Sequence, residues 1–263
     1  MKAKVNGIEV NYEIHGKEGA PWLTFSHSLA CSLRMWDAQL EAFKDRFRIL
    51  LYDTRGHGNT EAPKGPYTLD MLGEDLRQLL AELKIKRTNY CGLSMGGMIG
   101  QVVALADPGL FDHVVLADTG HTQSAETKKQ WEERIKTAET RGMHPLVQPT
   151  IERWFTQPYR TNPEVERIRK LIQNTPVPGY VGCCHAISNL NTTERLKQIR
   201  NPVLAITGEQ DAAAAGTRYI GENIPGAKFV SIPQAAHIAN IEQAETFNRA
   251  LAEFLSSPAS GRA

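Results

Sequence analysis

Short apolar runs recur along the chain, separated by segments in which apolar residues return every three or four positions. The runs are rich in β-branched and aromatic residues, as is typical of the buried strands of a parallel sheet. They are WLTFS (22–26), FRILLYD (47–53), TNYCG (88–92), HVVLAD (113–118), PVLAITG (202–208) and AKFVSIP (227–233). An earlier segment, IEVNYEIHG (8–16), alternates apolar and polar residues, which predicts a half-exposed antiparallel strand at the edge of the sheet.

Helical periodicity lies between several of these strands, at 69–85, 95–106 and 241–255. Alternating strands and helices predict an α/β fold with a mostly parallel sheet and helices on both faces. The alternation stops after Asp118, and from residue 121 to 189 the sequence is charged, helical in period and poor in strand signals. We therefore predict a core of residues 1–120 and 190–263 that is interrupted by a helical cap at 121–189. The final SSPASGRA is expected to fray.

Composition narrows the possible functions. Thirty basic and 29 acidic residues are spread along the chain, so no basic surface indicates nucleic acid as a partner. The first residues lack the apolar core of a signal peptide, and no run is long enough to span a bilayer, so we expect a cytoplasmic protein without membrane contact. The cysteines, at 31, 91, 183 and 184, match no zinc motif, and the eight histidines form no ligand cluster. No metal site is predicted.

The most informative motif is the G-x-S-x-G pattern at 92–96, which lies at a predicted strand-to-helix junction. Such a junction strains the backbone and projects the serine hydroxyl above the sheet, while small flanking residues avoid collisions with the neighbouring strand and helix. A dinucleotide-binding turn, the alternative, would place glycine where Ser94 stands so that a pyrophosphate could approach. Ser94 is therefore predicted to be a nucleophile.

A serine nucleophile needs a base, which in turn needs an orienting acid. Asp211 follows the predicted strand at 202–208, and His237 follows the predicted strand at 227–233. Serine, aspartate and histidine thus occur in the chain order of the α/β hydrolases. Asp118, at the end of another predicted strand, is the less favoured candidate for the acid.

An oxyanion hole would complete this site. One donor is expected from the backbone N–H of Met95, directly after the nucleophile and at the positive end of a helix. The other is expected from the N–H of Leu29, in the loop HSLACS. Two further histidines compete with the predicted base: His57 is expected to hydrogen-bond the backbone, and His27 to form pocket wall, with contact to the substrate as its alternative role.

Several segments together resemble the 3-oxoadipate enol-lactonases of bacterial aromatic degradation, over nearly the whole chain including the cap. They are SHSLACSLRMWDAQL, LLYDTRGHGNTEAPKGPYTLDML, NYCGLSMGGM, RGMHPLVQPTIERWFT and AAHIANIEQAETF. The resemblance implies an α/β-hydrolase fold and hydrolysis of an ester or lactone through an acyl-enzyme, without a cofactor. It also implies Ser94 as nucleophile, His237 as general base and then acid, and Asp211 as orienting carboxylate.

The substrate that the resemblance implies, 3-oxoadipate enol-lactone, carries a carboxylate, and burying that anion requires a cation. Arg134 is the candidate because it shares a helical face with Trp131 and Ile135, and Trp154 is expected to supply apolar wall. Alternatively, that face only packs the cap on the core with its arginine in solvent, and RWF at 153–155 belongs to the core.

Three departures from the lactonase pattern leave the exact substrate open. His27 stands where those enzymes tend to have Asn, Ala30 where they tend to have Gly, and alanines follow Asp211 in place of Thr-Pro. A carboxylesterase, a perhydrolase and a carbon–carbon bond hydrolase remain alternatives on the same fold. A catalytically silent binding protein and a nucleotide-binding oxidoreductase are alternatives of other classes. The sequence does not determine the oligomeric state.

Overall fold

The computed structural model describes residues 1–257, so most of the predicted terminal tail lies outside the described residues. Its strands are β1 (Lys2–Val5), β2 (Ile8–Gly16), β3 (Trp22–Ser26), β4 (Arg48–Tyr52), β5 (Thr88–Leu93), β6 (Phe111–Ala117), β7 (Val203–Gly208) and β8 (Lys228–Ile232). They form one sheet in the order β1-β2-β4-β3-β5-β6-β7-β8. Strands β3 to β8 pair in parallel, and β1 and β2 pair antiparallel. The predicted mostly parallel sheet is confirmed.

The apolar strands lie where the pattern places them because they are covered on both faces. Every residue of β5 and of β7 is buried, which accounts for runs without alternation. The edge position predicted for the segment 8–16 is wrong, since β1 pairs outside it. Asn6 and Gly7 connect the two strands with φ values of 45° and 76°. Two left-handed residues form the tight turn that the Asn-Gly dipeptide favours.

The helices comprise the three that the periodicity predicts and several others. They are α1 (Asp37–Phe43), α2 (Leu69–Glu82), α3 (Met95–Ala106), α4 (Ala125–Arg141), α5 (His144–Trp154), α6 (Pro163–Asn174), α7 (Val177–Ser188), α8 (Ala214–Asn223), α9 (Ala239–Glu242) and α10 (Ala244–Leu255). Helix α2 packs on α3, and α1 packs on α10. These helices bury the central sheet strands.

Helices α4 to α7 lie between β6 and β7, within the segment 121–189. Several of the prolines in this segment stand in the first turn of a helix, where the missing N–H costs no hydrogen bond. The two ends of this helical segment lie side by side, since the Thr192 N–H donates to the His121 carbonyl over 2.8 Å. Within residues 1–257, none of the helices has the length and apolar character that a membrane span requires.

Candidate active site

Ser94 occupies a sharp turn between β5 and α3. Its backbone has φ 56° and ψ −111°, a strained conformation for a residue with a side chain. The turn is held by hydrogen bonds on both sides: its N–H donates to Ala117 O over 2.8 Å, and its carbonyl accepts from the Thr119 hydroxyl over 2.8 Å. The residues around it in the chain are buried, but Ser94 is half-exposed. The turn therefore presents the hydroxyl to solvent at the end of the sheet.

Two glycines permit this turn. A Cβ on Gly92 would lie 2.3 Å from the Gly96 carbonyl oxygen. A Cβ on Gly96 would lie 2.2 Å from the carbonyl oxygen of Ser26, in the neighbouring strand β3. Both distances are far inside van der Waals contact with rigid backbone, so the spacing of the motif follows from the packing of α3 on the sheet.

Asp211 and His237 meet beyond the ends of β7 and β8. His237 Nδ1 lies 3.0 Å from Asp211 Oδ1, and the Asp211 side chain is only 2% exposed. Because the carboxylate accepts, the Nδ1 atom carries the proton and Nε2 is left as the basic nitrogen. The same Asp211 oxygen accepts from the N–H of Ala213 over 3.1 Å. This arrangement suits a base that is oriented by a buried acid.

Asp118, the other candidate for the acid, does not contact His237. Its Oδ1 accepts from the Gly208 N–H over 2.7 Å and from the Thr207 hydroxyl over 3.2 Å. Complete burial, and then the neighbouring charge of Asp211, raise the pKa of Asp118 well above its usual range. A carboxyl group whose charged form is disfavoured is less suited than Asp211 to stabilise an imidazolium by charge.

The loop after β3 orients one backbone N–H. The Ser28 carbonyl accepts from His27 Nδ1 over 2.7 Å and from the N–H of Cys31 over 3.2 Å. The next N–H, that of Leu29, points the opposite way across the trans peptide, and Leu29 lines the cavity above Ser94. Within the described residues, neither this N–H nor that of Met95, the first residue of α3, has a hydrogen-bond partner. Two free N–H groups can bind an oxyanion.

Two buried histidines support this loop. His57 Nε2 accepts from the Ala30 N–H over 2.9 Å, and His27 Nε2 accepts from the Thr54 N–H over 2.9 Å. Burial lowers the pKa of His27 to about 4 and that of His57 to about 3, so both rings are neutral acceptors. The expected backbone bonding of His57 is confirmed. His27 is not part of the cavity wall, because its ring faces the backbone beyond β4.

Ala30 adopts φ 58°, in the left-handed region that glycine prefers. Its N–H is fixed by His57, so the loop holds this alanine in a strained conformation. The departure from glycine at this position is therefore accommodated without loss of the loop's hydrogen bonds.

A cavity of about 360 Å³ lies above Ser94, between the sheet and the cap. Ser94, Asp211, His237 and Leu29 line it from the sheet side. The lining residues from the cap include Trp131, Arg134, Thr150, Arg153, Trp154 and Tyr180. The structure thus brings the predicted nucleophile, base, acid and cap residues to one space, whose volume suits a small molecule.

The predicted cap residues differ in their surroundings. The Arg134 guanidinium lies 4.4 Å above the centre of the Trp131 ring, in the geometry of a cation–π interaction. The buried Trp154 ring is centred 6.0 Å from the His237 ring and forms apolar wall beside the base. Ile135 does not line the cavity and packs against the core.

The sequence interpretation missed Arg153, which it considered only in the alternative that residues 153–155 belong to the core. Trp154 and Phe155 are buried, but the Arg153 guanidinium reaches the cavity. It donates to Pro149 O over 3.0 Å and to the Thr150 hydroxyl over 3.2 Å. The residue keeps much of its surface in solvent, yet partial burial of its guanidinium, and then repulsion from Arg134, lower its pKa to about 10.

Glu242 is a second residue that the sequence interpretation missed. Its Oε2 accepts from the Ala236 N–H over 2.8 Å, directly before His237. Its Oε1 accepts from the backbone N–H of Thr156 over 3.0 Å and from the Thr156 hydroxyl. Glu242 therefore connects the loop that carries the base to the cap.

The four cysteines are free and buried. Burial raises the pKa of the Cys31 and Cys184 thiols to about 12 and holds that of Cys91 and Cys183 well above its usual range, so none is a reactive thiolate.

Comparison with known proteins agrees with this fold. A model of the α/β hydrolase fold matches residues 21–244. The 3-oxoadipate enol-lactonase 2 of Acinetobacter baylyi is 35% identical over 93% of this chain and 92% of its own. A putative carbamate hydrolase, RutD, of Agrobacterium fabrum is 27% identical over 94% and 98%. The crystal structure of the enol-lactonase from Burkholderia xenovorans LB400 superposes with a TM-score of 0.94 at 39% identity, covering 98% of this chain and all of the other. The chain belongs to the 3-oxoadipate enol-lactonase family of α/β hydrolases.

Proposed function

We propose that this protein hydrolyses a small anionic lactone through an acyl-enzyme on Ser94, with 3-oxoadipate enol-lactone as the substrate. The names of its relatives support the substrate, and the cavity supports the chemistry. The reaction would belong to the degradation of aromatic compounds in the cytoplasm. It needs no cofactor, because side chains and backbone N–H groups supply the base, the nucleophile and the oxyanion donors.

In the first half-reaction, His237 Nε2 takes the proton of the Ser94 hydroxyl while Oγ attacks the lactone carbonyl. The developing oxyanion accepts from the N–H groups of Leu29 and Met95, which are already free in the cavity. Collapse of this intermediate breaks the ring C–O bond, and the imidazolium returns the proton to the departing oxygen. Asp211 stabilises the imidazolium from the other side of the ring.

In the second half-reaction, the same histidine activates water, which attacks the ester of Ser94. The product acid leaves, and the serine recovers its proton. The opened substrate remains bound to Ser94 as an ester until this step. No separate product leaves earlier, because the acyl group and the departing oxygen of a lactone belong to one molecule. The cap keeps this intermediate in a restricted space, consistent with its contribution of the cavity roof.

The single observation that favours an anionic substrate is the pair Arg134 and Arg153. Both line the cavity, and within residues 1–257 no carboxylate lies within 4 Å of either guanidinium. Even at about 10, the pKa of Arg153 keeps its guanidinium charged at neutral pH. Two unpaired cations side by side repel each other, and a substrate carboxylate would relieve that repulsion.

The cap segment 121–189 would therefore select the substrate by charge. A single charge-assisted hydrogen bond contributes about 1.5–3 kcal/mol, or roughly 10- to 150-fold in kcat/KM. We expect Arg134→Gln and Arg153→Gln each to lower kcat/KM for the anionic lactone by about 10- to 100-fold. Hydrolysis of p-nitrophenyl acetate, which has no carboxylate, should stay close to that of the parent protein.

Arg141→Gln is the matched control, because Arg141 is exposed on the same helix as Arg134 and does not line the cavity. Equal losses on the lactone and the neutral ester would assign the two arginines to cap structure. Normal kinetics of both variants on the lactone would contradict an anion site in this cavity.

A further inference from the structure

Two buried carboxyl groups face each other beneath the active site. The Asp118 and Asp211 side chains both line the base of the cavity, where they follow the neighbouring strands β6 and β7, and the charge of Asp211 acts on Asp118. Each uses its Oδ1 for other donors: Gly208 N–H for Asp118, and His237 with Ala213 N–H for Asp211. The two Oδ2 atoms are buried without a donor from the described residues.

One proton accounts for both unpaired oxygens. Two carboxylates in contact cannot both be ionised at low cost, and a shared proton turns their repulsion into a hydrogen bond. Without it, two buried acceptors would remain unsatisfied beside each other. The proton can reside on either residue, so their surroundings decide.

The surroundings place the proton on Asp118. Its side chain is completely buried, and the titratable groups that face it are Asp211 and the neutral thiol of Cys91. Asp211 faces His237 instead, which becomes a cation during turnover. Charge is therefore stabilised better on Asp211 than on Asp118.

We propose that Asp118 is a protonated positioning residue, which donates its carboxylic proton to Asp211 Oδ2 and thereby holds the other oxygen on His237. Asp118 touches neither the nucleophile nor the base and acts through Asp211 alone. The chain Gly208 N–H, Asp118, Asp211, His237 then runs continuously from β7 to the cavity. The inference rests on the proposed hydrolysis only for its kinetic test.

The Asp118→Asn variant distinguishes a role of Asp118 as a hydrogen-bond donor from a role as a negative charge. The amide keeps both roles, since its NH₂ donates to Asp211 and its oxygen accepts from Gly208 N–H. We expect Asp118→Asn to retain kcat on p-nitrophenyl acetate within about threefold, and Asp118→Ala to lose at least tenfold in kcat with little change in KM. Asp112→Asn, at the other end of the same strand, is the matched control and should behave as the parent protein.

Protonation can be observed without any turnover. In protein labelled with ¹³C at the aspartate carboxyl carbon, one resonance should keep the chemical shift of a protonated acid at neutral pH and be absent from Asp118→Asn. This measurement holds even if the lactone is not the substrate or if Asp118→Ala does not fold. An Asn variant as damaged as the Ala variant would overturn the proposal, because a charge on Asp118 would then be required. Absence of a protonated aspartate at neutral pH would also overturn it.

Discussion

Replacing His27 with alanine tests how the oxyanion loop is held. The ring donates from Nδ1 to the Ser28 carbonyl and accepts at Nε2 from the Thr54 N–H. In the alanine variant the Thr54 N–H loses its partner in a buried place, while Ser28 O keeps only the N–H of Cys31, at 3.2 Å. The peptide that presents the Leu29 N–H is then free to rotate.

The size of the effect follows from these bonds. A buried polar group that loses its partner costs about 1–3 kcal/mol, and here one group loses it fully and one in part. We expect the free energy of unfolding to fall by about 2–4 kcal/mol, within the range of strongly destabilising single substitutions. Removing one oxyanion donor costs about 100- to 1,000-fold in kcat, so a loosened donor should cost about 10- to 100-fold.

Urea unfolding and kcat on p-nitrophenyl acetate measure the two effects separately, because the neutral ester does not depend on the cap arginines. His27→Asn, which keeps a short donor, should lose less than about tenfold in kcat. His144→Ala, in an exposed histidine of the cap, is the control and should change neither quantity. A folded His27→Ala protein with normal kcat would refute the assigned orientation of the Leu29 N–H.

Two further predictions concern stability. In the folded protein the pKa of His27 (about 4) and that of His57 (about 3) lie below the ordinary value of 6.5. The stability that the two neutral rings contribute is therefore fully present above pH 6.5 and is lost as the pH falls towards 3. Each ring adds up to about 1.4 kcal/mol per pH unit to this loss. In urea unfolding, His27→Asn should lose less free energy of unfolding per pH unit than the parent protein, and equal slopes against pH would contradict this. Gly96→Ala should abolish or strongly destabilise the fold. Gly109→Ala is the control and should keep the parent melting temperature, because its Cβ would meet only Asp107 Oδ1 at 3.7 Å. Equal melting temperatures of the two variants would contradict the backbone clash at Gly96.

Much of the sheet, and the meeting of the predicted serine, acid and base at its edge, could be predicted because local sequence determines their positions. Buried strands are short apolar runs. Ser94 directly follows β5, whereas Asp211 and His237 lie in the loops that follow β7 and β8. Parallel strands end at the same edge, so these residues meet there without knowledge of the tertiary packing. The edge strand β1 was missed because the Asn-Gly turn before β2 was not used as a hairpin signal.

The remaining parts of the site depend on contacts between distant segments. Arg153 follows a helical pattern of core residues, and only the approach of α5 to α4 brings its guanidinium near Arg134. Glu242 joins the cap to the base loop across 86 residues of sequence. The proposed pairing of Asp118 with Asp211 likewise joins residues that follow two different strands, β6 and β7. No local periodicity encodes such contacts.

Covalent trapping on Ser94 tests the acyl-enzyme mechanism most directly. The protein is mixed with p-nitrophenyl acetate, quenched in acid during the first turnovers, digested and analysed by mass spectrometry, with Ser94→Ala as control. We expect an acetyl adduct on the peptide containing Ser94, a burst of p-nitrophenol that matches the enzyme concentration when deacylation is slow, and neither signal in the alanine variant. Undiminished ester hydrolysis by Ser94→Ala, with no adduct on this peptide in the parent protein, would contradict nucleophilic catalysis by Ser94.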